Sequence, residues 1–385
     1  MWRKSSHQWQ VPNCIALLAT LKPADDIRMY HKWQSALQHY FPTTNFLLFG
    51  NQLTTPFLAG KKNVAFVAFS QQRHQWGRRL YFLFYAFYSL LRYRPDWVVV
   101  TTFEFLPFVF LYKCFKKKVR IIYDIQENYE ANHRHSKGFF STLGRLLIHY
   151  SEKWSRYFVD AYTLAEKCYE KELSFLPTNN TWVVENLFLP IVPYRPSFPA
   201  SPPLQNIRLA LCGTISEGYG LYRALAWVES YLHFAPLTTL HLIGHCPLRK
   251  DFQYLEQYAQ KHKHCHLHIS LLPMNYIELM EKMQEIDVWL MPYEVRHSVA
   301  NRIPTKFYEA MYYQKYIWVE KNHFWIDFLH SLQYTKVSHL SFFEQNSTCP
   351  TLSDASDYKM PESCFWRANL LAPIIDYLQG FVIKR

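Results

Sequence analysis

Short apolar runs alternate with longer stretches of helical spacing along nearly the whole chain, and this alternation restricts the fold more than any other feature. The runs at 14–19, 46–49, 64–69, 97–100, 120–125 and 182–184 read as strands, with helical patterns at 26–40, 76–92 and 139–158 between them. The order resumes with strands at 208–212, 239–243, 266–271, 288–291 and 316–320 and helices at 221–234, 249–261, 276–284 and 305–314. Strands separated by helices predict parallel sheets covered by helices on both faces.

The pattern breaks where six prolines fall within residues 190–203. No helix or central strand tolerates that density, so an extended linker is predicted. The reading is therefore α/β: a Rossmann-like domain over 1–189, a linker over 190–206, a second Rossmann-like domain over 207–365, and a helix within 366–385 expected to pack back on the first domain. Two such domains are expected to face each other across a cleft, with ligands at the carboxyl ends of strands. A length of 385 residues, 49% hydrophobic and 18% aromatic, fills two cores and excludes a disordered or fibrous chain.

Eight cysteines are scattered without any Cys-x-x-Cys, which suits reduced thiols better than a disulfide framework or a zinc ribbon. The polar first ten residues and the apolar stretch after them lack a secretory cleavage pattern. The longest apolar candidate, 80–91, is bracketed by Arg78, Arg79, Arg92 and Arg94 and is too short to span a bilayer. A cytoplasmic protein is expected.

The net charge of +12 is unevenly placed: residues 1–190 hold 24 Lys+Arg against 13 Asp+Glu, and residues 191–385 hold 18 against 17. A basic first half invites an anionic partner such as lipid headgroups, a phosphorylated acceptor or nucleic acid; a merely solubilising face is the plainer alternative. Nucleic acid is disfavoured because helix-turn-helix, RNA-recognition and zinc-finger signatures are missing. Around 76–94, Trp76, Tyr81, Phe84, Tyr85 and Tyr88 mix with the four arginines, and Lys116, Lys117 and Lys118 follow. Such a helix suits the surface of an anionic membrane, unless it is simply buried between the sheet and a neighbour.

Three of the ten glycines crowd into 213–220, after the strand 208–212 and before a helix. A glycine turn feeding a helix N-terminus can present backbone N–H groups to phosphate, although a plain tight turn has the same sequence. Gly213 and Thr214 open this loop, and Gly244 ends the next strand. A polar loop from Tyr293 to Arg302 then leads into Pro304-Thr305-Lys306-Phe307-Tyr308-Glu309. Pro304 sets the helix start, Thr305 opens the first turn, and Arg302 and Lys306 can neutralise phosphate charge. Glu309, one turn on, can accept hydrogen bonds from ribose hydroxyls. The competing reading is a capped surface helix with Lys306 and Glu309 paired at i,i+3.

The segment 301–309 resembles the donor-binding signature of GT-B-fold glycosyltransferases, particularly glycosyltransferase family 4 and its surface-polysaccharide members. In that family two glutamates lie seven residues apart around this helix start. Glu309 matches the second, which the resemblance assigns to the ribose; Asn301 stands in place of the first, which contacts donor-sugar hydroxyls. Pro23 to Arg28 and Lys32 look like the family's acceptor-side loop and helix, and Asp124-Ile125-Gln126-Glu127 like its strand end with Gln126 in place of histidine. The glycine loop also lacks the family's pyrophosphate-clamping Arg and Lys, leaving that task to Arg302 and Lys306.

The resemblance implies transfer of a sugar from a UDP or GDP sugar to a glycan or lipid-linked acceptor, with retention and without a metal or other cofactor. Asn301, Lys306 and Glu127 are the catalytic candidates, and Glu127 or Asp124 would be the general base if the reaction inverts. Rival readings on the same fold are a sugar-nucleotide epimerase or a phosphorylase; a non-catalytic binder is a third. The tract His262-Lys-His264-Cys265-His266-Leu-His268 looks metal-binding, but in one strand three histidines face one way and Cys265 the other, so no metal is expected there.

Overall fold

The structure, a computed structural model, describes residues 11–55, 63–69, 76–133, 139–194, 206–294, 301–342 and 358–380. The chain forms two compact units: residues Met1–Asn186 with Trp366–Arg385, and Leu187–Phe365. The passage to the second unit thus precedes all six of those prolines, and linker residues 195–205 lie outside the described residues.

The first unit holds seven strands: β1 (Cys14–Pro23), β2 (Asn45–Asn51), β3 (Val64–Ala68), β4 (Trp97–Val100), β5 (Arg120–Ile125), β6 (Ala161–Leu164) and β7 (Thr181–Val183). All pair in parallel, in the order β3-β2-β1-β4-β5-β6-β7. Residues 15–19 and 97–100 are buried on both faces, which is why these strands read as unbroken apolar runs. The helix expected over 26–40 is instead a wide π-type coil, Ile27–Gln34, tightening into α1 (Ser35–Tyr40). Asp26 caps it, accepting from the Arg28 and Met29 amides at 3.0 and 3.3 Å.

Next come α2 (Trp76–Tyr93), α3 (Leu106–Phe115), α4 (Tyr129–His133), α5 (Phe139–Ser155) and α6 (Tyr169–Glu172). Helix α3 follows from Pro107 in its first turn and from Leu106, Val109 and Tyr112, which bury one face. Helix α2 buries Phe82, Leu83, Ala86 and Leu90 but leaves Tyr81, Phe84 and Tyr88 outside. Packing between the sheet and a neighbour therefore accounts for only one side of it.

The second unit has β8 (Arg208–Thr214), β9 (Thr239–His245), β10 (Cys265–Ser270), β11 (Val288–Met291), β12 (Tyr316–Glu320) and β13 (Val337–Leu340). They pair in parallel in the order β10-β9-β8-β11-β12-β13. Helices α7 (Leu221–Leu232), α8 (Arg249–Lys261), α9 (Tyr276–Gln284), α10 (Thr305–Tyr312) and α11 (His323–Ser331) make the crossovers. Arg208 and Asp287, paired at 2.7 Å, anchor the starts of β8 and β11. Each sheet reverses its winding beside its first strand, between β1 and β4 or between β8 and β11, and such switch points are where open α/β sheets bind ligands. The last helix among the described residues, α12 (Ala372–Leu378), is part of the first unit.

Candidate active site

In the second unit the expected donor residues converge at the β8/β11 switch point. Strand β8 runs on through Gly213 and Thr214, two residues further than its apolar run suggested. Gly213 has φ +89° and its neighbour Gly244, at the end of β9, has φ +139°. A methyl group on Gly244 would lie 2.1 Å from the Gly213 carbonyl oxygen, and one on Gly213 would lie 2.8 Å from Lys306 Nζ. Gly213 therefore clears the space the Lys306 ammonium occupies above the strand ends, and Gly244 lets β9 approach the Gly213 backbone. Gly220, φ +83°, starts α7 with its α-carbon so close to β11 that a methyl there would meet the Pro292 carbonyl at 2.0 Å. Gly213, Gly220 and Gly244 thus each combine a positive φ with a close approach that only glycine allows.

Lys306 sits in the first turn of α10, whose first residue is Thr305 and whose N-cap is Pro304. Its ammonium donates to Tyr293 Oη at 3.2 Å and lies 5.7 Å from the Tyr293 ring centroid. Burial works against the charge, but the Tyr293 hydroxyl it donates to and the Glu309 carboxylate more than offset this, and Lys306 remains a cation. Burial pushes the Cys212 thiol up to about 11, and burial with the nearby Lys306 lowers His245, so both flank the cation as neutral groups. Glu309 accepts from Tyr276 Oη at 3.1 Å. Burial, then Glu309, raises that phenol well above its ordinary value, so it stays a donor. Lys306 and Glu309 are thus each held by a tyrosine.

Arg302 is half-buried, and its carbonyl accepts from Trp325 Nε1 at 2.7 Å, which fixes the backbone leading into α10. Asn301 is exposed, and residues 295–300 of its loop lie outside the described residues. Sequence reasoning missed Tyr276 and Trp325. Tyr276 follows Asn275, whose side chain accepts from the Ile277 and Glu278 amides, so an N-cap signal marked that helix but not its partner.

In the first unit Arg28, Lys32 and Asp124 also come together, but not as free surface groups. Arg28 grips Asp124 through Nε to Oδ2 at 2.8 Å and Nη2 to Oδ1 at 2.6 Å, and also donates to the Val184 carbonyl at 2.9 Å. Thr163 Oγ1 at 2.7 Å and Gln126 Nε2 at 2.9 Å complete the shell of Asp124, which is fully buried. Burial alone would raise this carboxyl, yet the Arg28 guanidinium facing it, with these hydrogen bonds, holds it below the usual carboxylate range. This corrects the assignment of Asp124 as a possible general base: its lone pairs are committed to an ion pair that ties β5, β6 and the π coil. Lys32 donates to Asn186 Oδ1 at 2.6 Å, and the Trp366 ring lies 5.8 and 5.6 Å from the Arg28 and Lys32 charges. Glu127, just past the end of β5, is half-buried.

No family model and no curated protein matches the sequence. Solved structures do match. Sucrose-phosphate synthase from Thermosynechococcus elongatus aligns over 96% of this chain and 91% of its own, with 12% identity and a TM-score of 0.60. HepE from Anabaena, solved with UDP and glucose, aligns over 82% of both chains with 11% identity and a TM-score of 0.54. The catalytic domain of starch synthase IV from Arabidopsis thaliana, bound to ADP and acarbose, covers 82% of this chain and 84% of its own, with 14% identity and a TM-score of 0.53. At these identities the likeness concerns the fold. Two parallel-sheet α/β units place the chain among structures of the GT-B fold.

Proposed function

We propose that the protein is a hexosyltransferase that moves a sugar from a nucleoside diphosphate sugar to a glycan or lipid-linked acceptor, with retention, in cell-surface polysaccharide synthesis. The observation that carries this reading is the Lys306 ammonium lodged over Gly213 at the β8/β11 switch point, with Glu309 one turn further along the same helix. A diphosphate laid across the glycine pair would meet Lys306 and the first-turn amides of α10. Glu309, oriented by the Tyr276 hydroxyl, is the carboxylate on this helix that suits the ribose hydroxyls. The solved relatives bound to UDP or ADP support a nucleotide in this fold.

In the reaction the anomeric C–O bond breaks with its electron pair passing to the β-phosphate oxygen, as the acceptor oxygen bonds to the anomeric carbon. Lys306, Arg302 and the α10 terminus would stabilise the charge on that departing phosphate without a metal. For retention, the acceptor proton can pass to the phosphate on the same face. Were the outcome inversion, Glu127 is the carboxylate that remains after Asp124 is assigned to its ion pair. Asn301 would meet the donor sugar.

Membrane attachment is part of the proposal. Among the described residues no helix is long and apolar enough to cross a membrane. Helices α2, α3 and α5 lie side by side and expose Tyr81, Phe84 and Tyr88, then Phe115, then Leu147 and Tyr150. Arg78 and Arg92 of α2, Lys117 and Lys118 just past α3, and Lys153 and Arg156 at the end of α5 are exposed on or beside the same three helices. Arg79 and Lys116 are taken out of that count, because they pair with Glu104 and Asp96. Aromatic and basic groups in this arrangement suit the anionic inner face of a membrane.

The test is release of free nucleoside diphosphate from a panel of UDP, GDP and ADP sugars, with and without membrane extract as acceptor source. Release that depends on the extract, with incorporation of label into glycan or lipid, is expected. An epimerised sugar nucleotide formed without acceptor would replace this reading by the epimerase one.

A further inference from the structure

The histidine tract, dismissed as a single-strand metal site, acquires a partner from elsewhere in the second unit. Strand β10 begins only at Cys265, so His262 caps the end of α8 and His264 lies in the turn before the strand. There they meet Glu229, from the last turns of α7. His262 Nδ1 is 3.0 Å and His264 Nε2 is 3.7 Å from Glu229 Oε1, and the three ligand atoms all lie within 4.8 Å of one another. The geometry points to a site for one transition-metal dication, of the zinc class, held by Glu229 Oε1, His262 Nδ1 and His264 Nε2.

Two further observations support it. His264 Nε2 is closed off from solvent yet makes no hydrogen bond, which leaves a lone pair or proton unaccounted for in a polar corner. The other two ligands are held from behind: Tyr258 Oη donates to Glu229 Oε1, and the Tyr258 ring stacks on His262 with centroids 4.2 Å apart and planes at 15°. Hydrogen bonding and packing of this kind orient first ligands at metal sites.

Ligand atoms bound tetrahedrally at about 2.0–2.1 Å would stand roughly 3.4 Å apart. The observed 3.0 and 3.7 Å bracket that spacing, so small side-chain rotations would close the site. Two histidines and one carboxylate leave a fourth position for water. Cys265 pairs with Leu240, four residues before Gly244, so the cluster lies about 13 Å along β9 from the candidate nucleotide site. A cation there would pin α7, α8 and β10 together and take no part in sugar transfer.

The experiment uses the full chain freed of metal by chelator and titrated with ZnCl2, with CoCl2 as the spectroscopic probe. Saturation at one equivalent, a raised Tm and the visible absorption of four-coordinate cobalt are expected. Glu229→Gln, which keeps an acceptor for Tyr258, and His264→Gln should each weaken zinc at least about tenfold, while His268→Gln should not. Failure of the wild type to bind zinc would overturn the assignment. So would Glu229→Gln and His264→Gln binding as the wild type does, or His268→Gln losing the metal as they do.

Discussion

Replacing Gly213 by alanine separates the role of the glycine from the role of the lysine above it. The new methyl would stand 2.8 Å from Lys306 Nζ, on a residue with φ +89°. The backbone part should cost about 1–3 kcal/mol of stability, the usual strain for a side chain in that region. The contact itself is cheap to relieve, because the end of a lysine side chain can swing aside, but the ammonium then leaves its place beside Tyr293 and above the strand ends. One charge-assisted hydrogen bond to phosphate is worth about 1.5–3 kcal/mol, so affinity for a nucleoside diphosphate should fall roughly 10- to 100-fold. Urea unfolding reads the first quantity and isothermal titration the second, with Gly218→Ala as control because nothing lies within 4 Å of its added methyl. Lys306→Ala should lower affinity similarly, and the Gly213→Ala/Lys306→Ala pair should lose little more than either alone. Full additivity, or unchanged nucleotide affinity in Gly213→Ala, would refute the reasoning.

Other outcomes follow from the first unit. Arg28→Ala leaves a fully buried Asp124 without its partner and should lower stability by about 3–5 kcal/mol in urea unfolding; a loss below 1 kcal/mol would mean that the pair is not structural. Buried Glu152, bonded by Tyr123 Oη at 2.9 Å, is pushed up to about 8 mainly by burial. Its folded pKa is raised, so the stability it adds is fully present below about pH 4, the unfolded range, and is lost as the pH rises toward 8. Glu152→Gln should therefore flatten the fall of Tm between pH 5 and 8 that the wild type shows; parallel curves would contradict it. Serine at Phe84, Phe115 and Leu147 together should strip the protein from phosphatidylglycerol vesicles in a sedimentation assay without changing its fold. Equal sedimentation of the variant, or of the wild type on neutral vesicles, would remove the membrane face from the account.

The strands were legible because parallel strands buried on both faces leave unbroken apolar runs, as residues 15–19 and 97–100 do. The start of α10 was legible because Pro304 and its polar loop follow a strand directly. Partnerships were not. Arg28 and Asp124 are 96 residues apart and Tyr276 and Glu309 are 33 apart, and only the crossover path brings either pair together. Glu229 stayed hidden from the histidine tract for the same reason: its helix returns beside β10 only through sheet order. Charge in the sequence also misled where it was already paired, as with Lys116 and Asp124, since a count cannot tell an exposed ion from one held inside an ion pair.

The central claim is that the second unit binds a nucleoside diphosphate through Lys306 and Glu309. Titration of UDP, GDP and ADP into the wild type and into Glu309→Ala tests it most directly. The account predicts saturable binding of at least one of the three by the wild type, and a loss of about 1–3 kcal/mol in Glu309→Ala from unmet ribose hydroxyls. Equal affinity in the two proteins, or no binding by either, would contradict it.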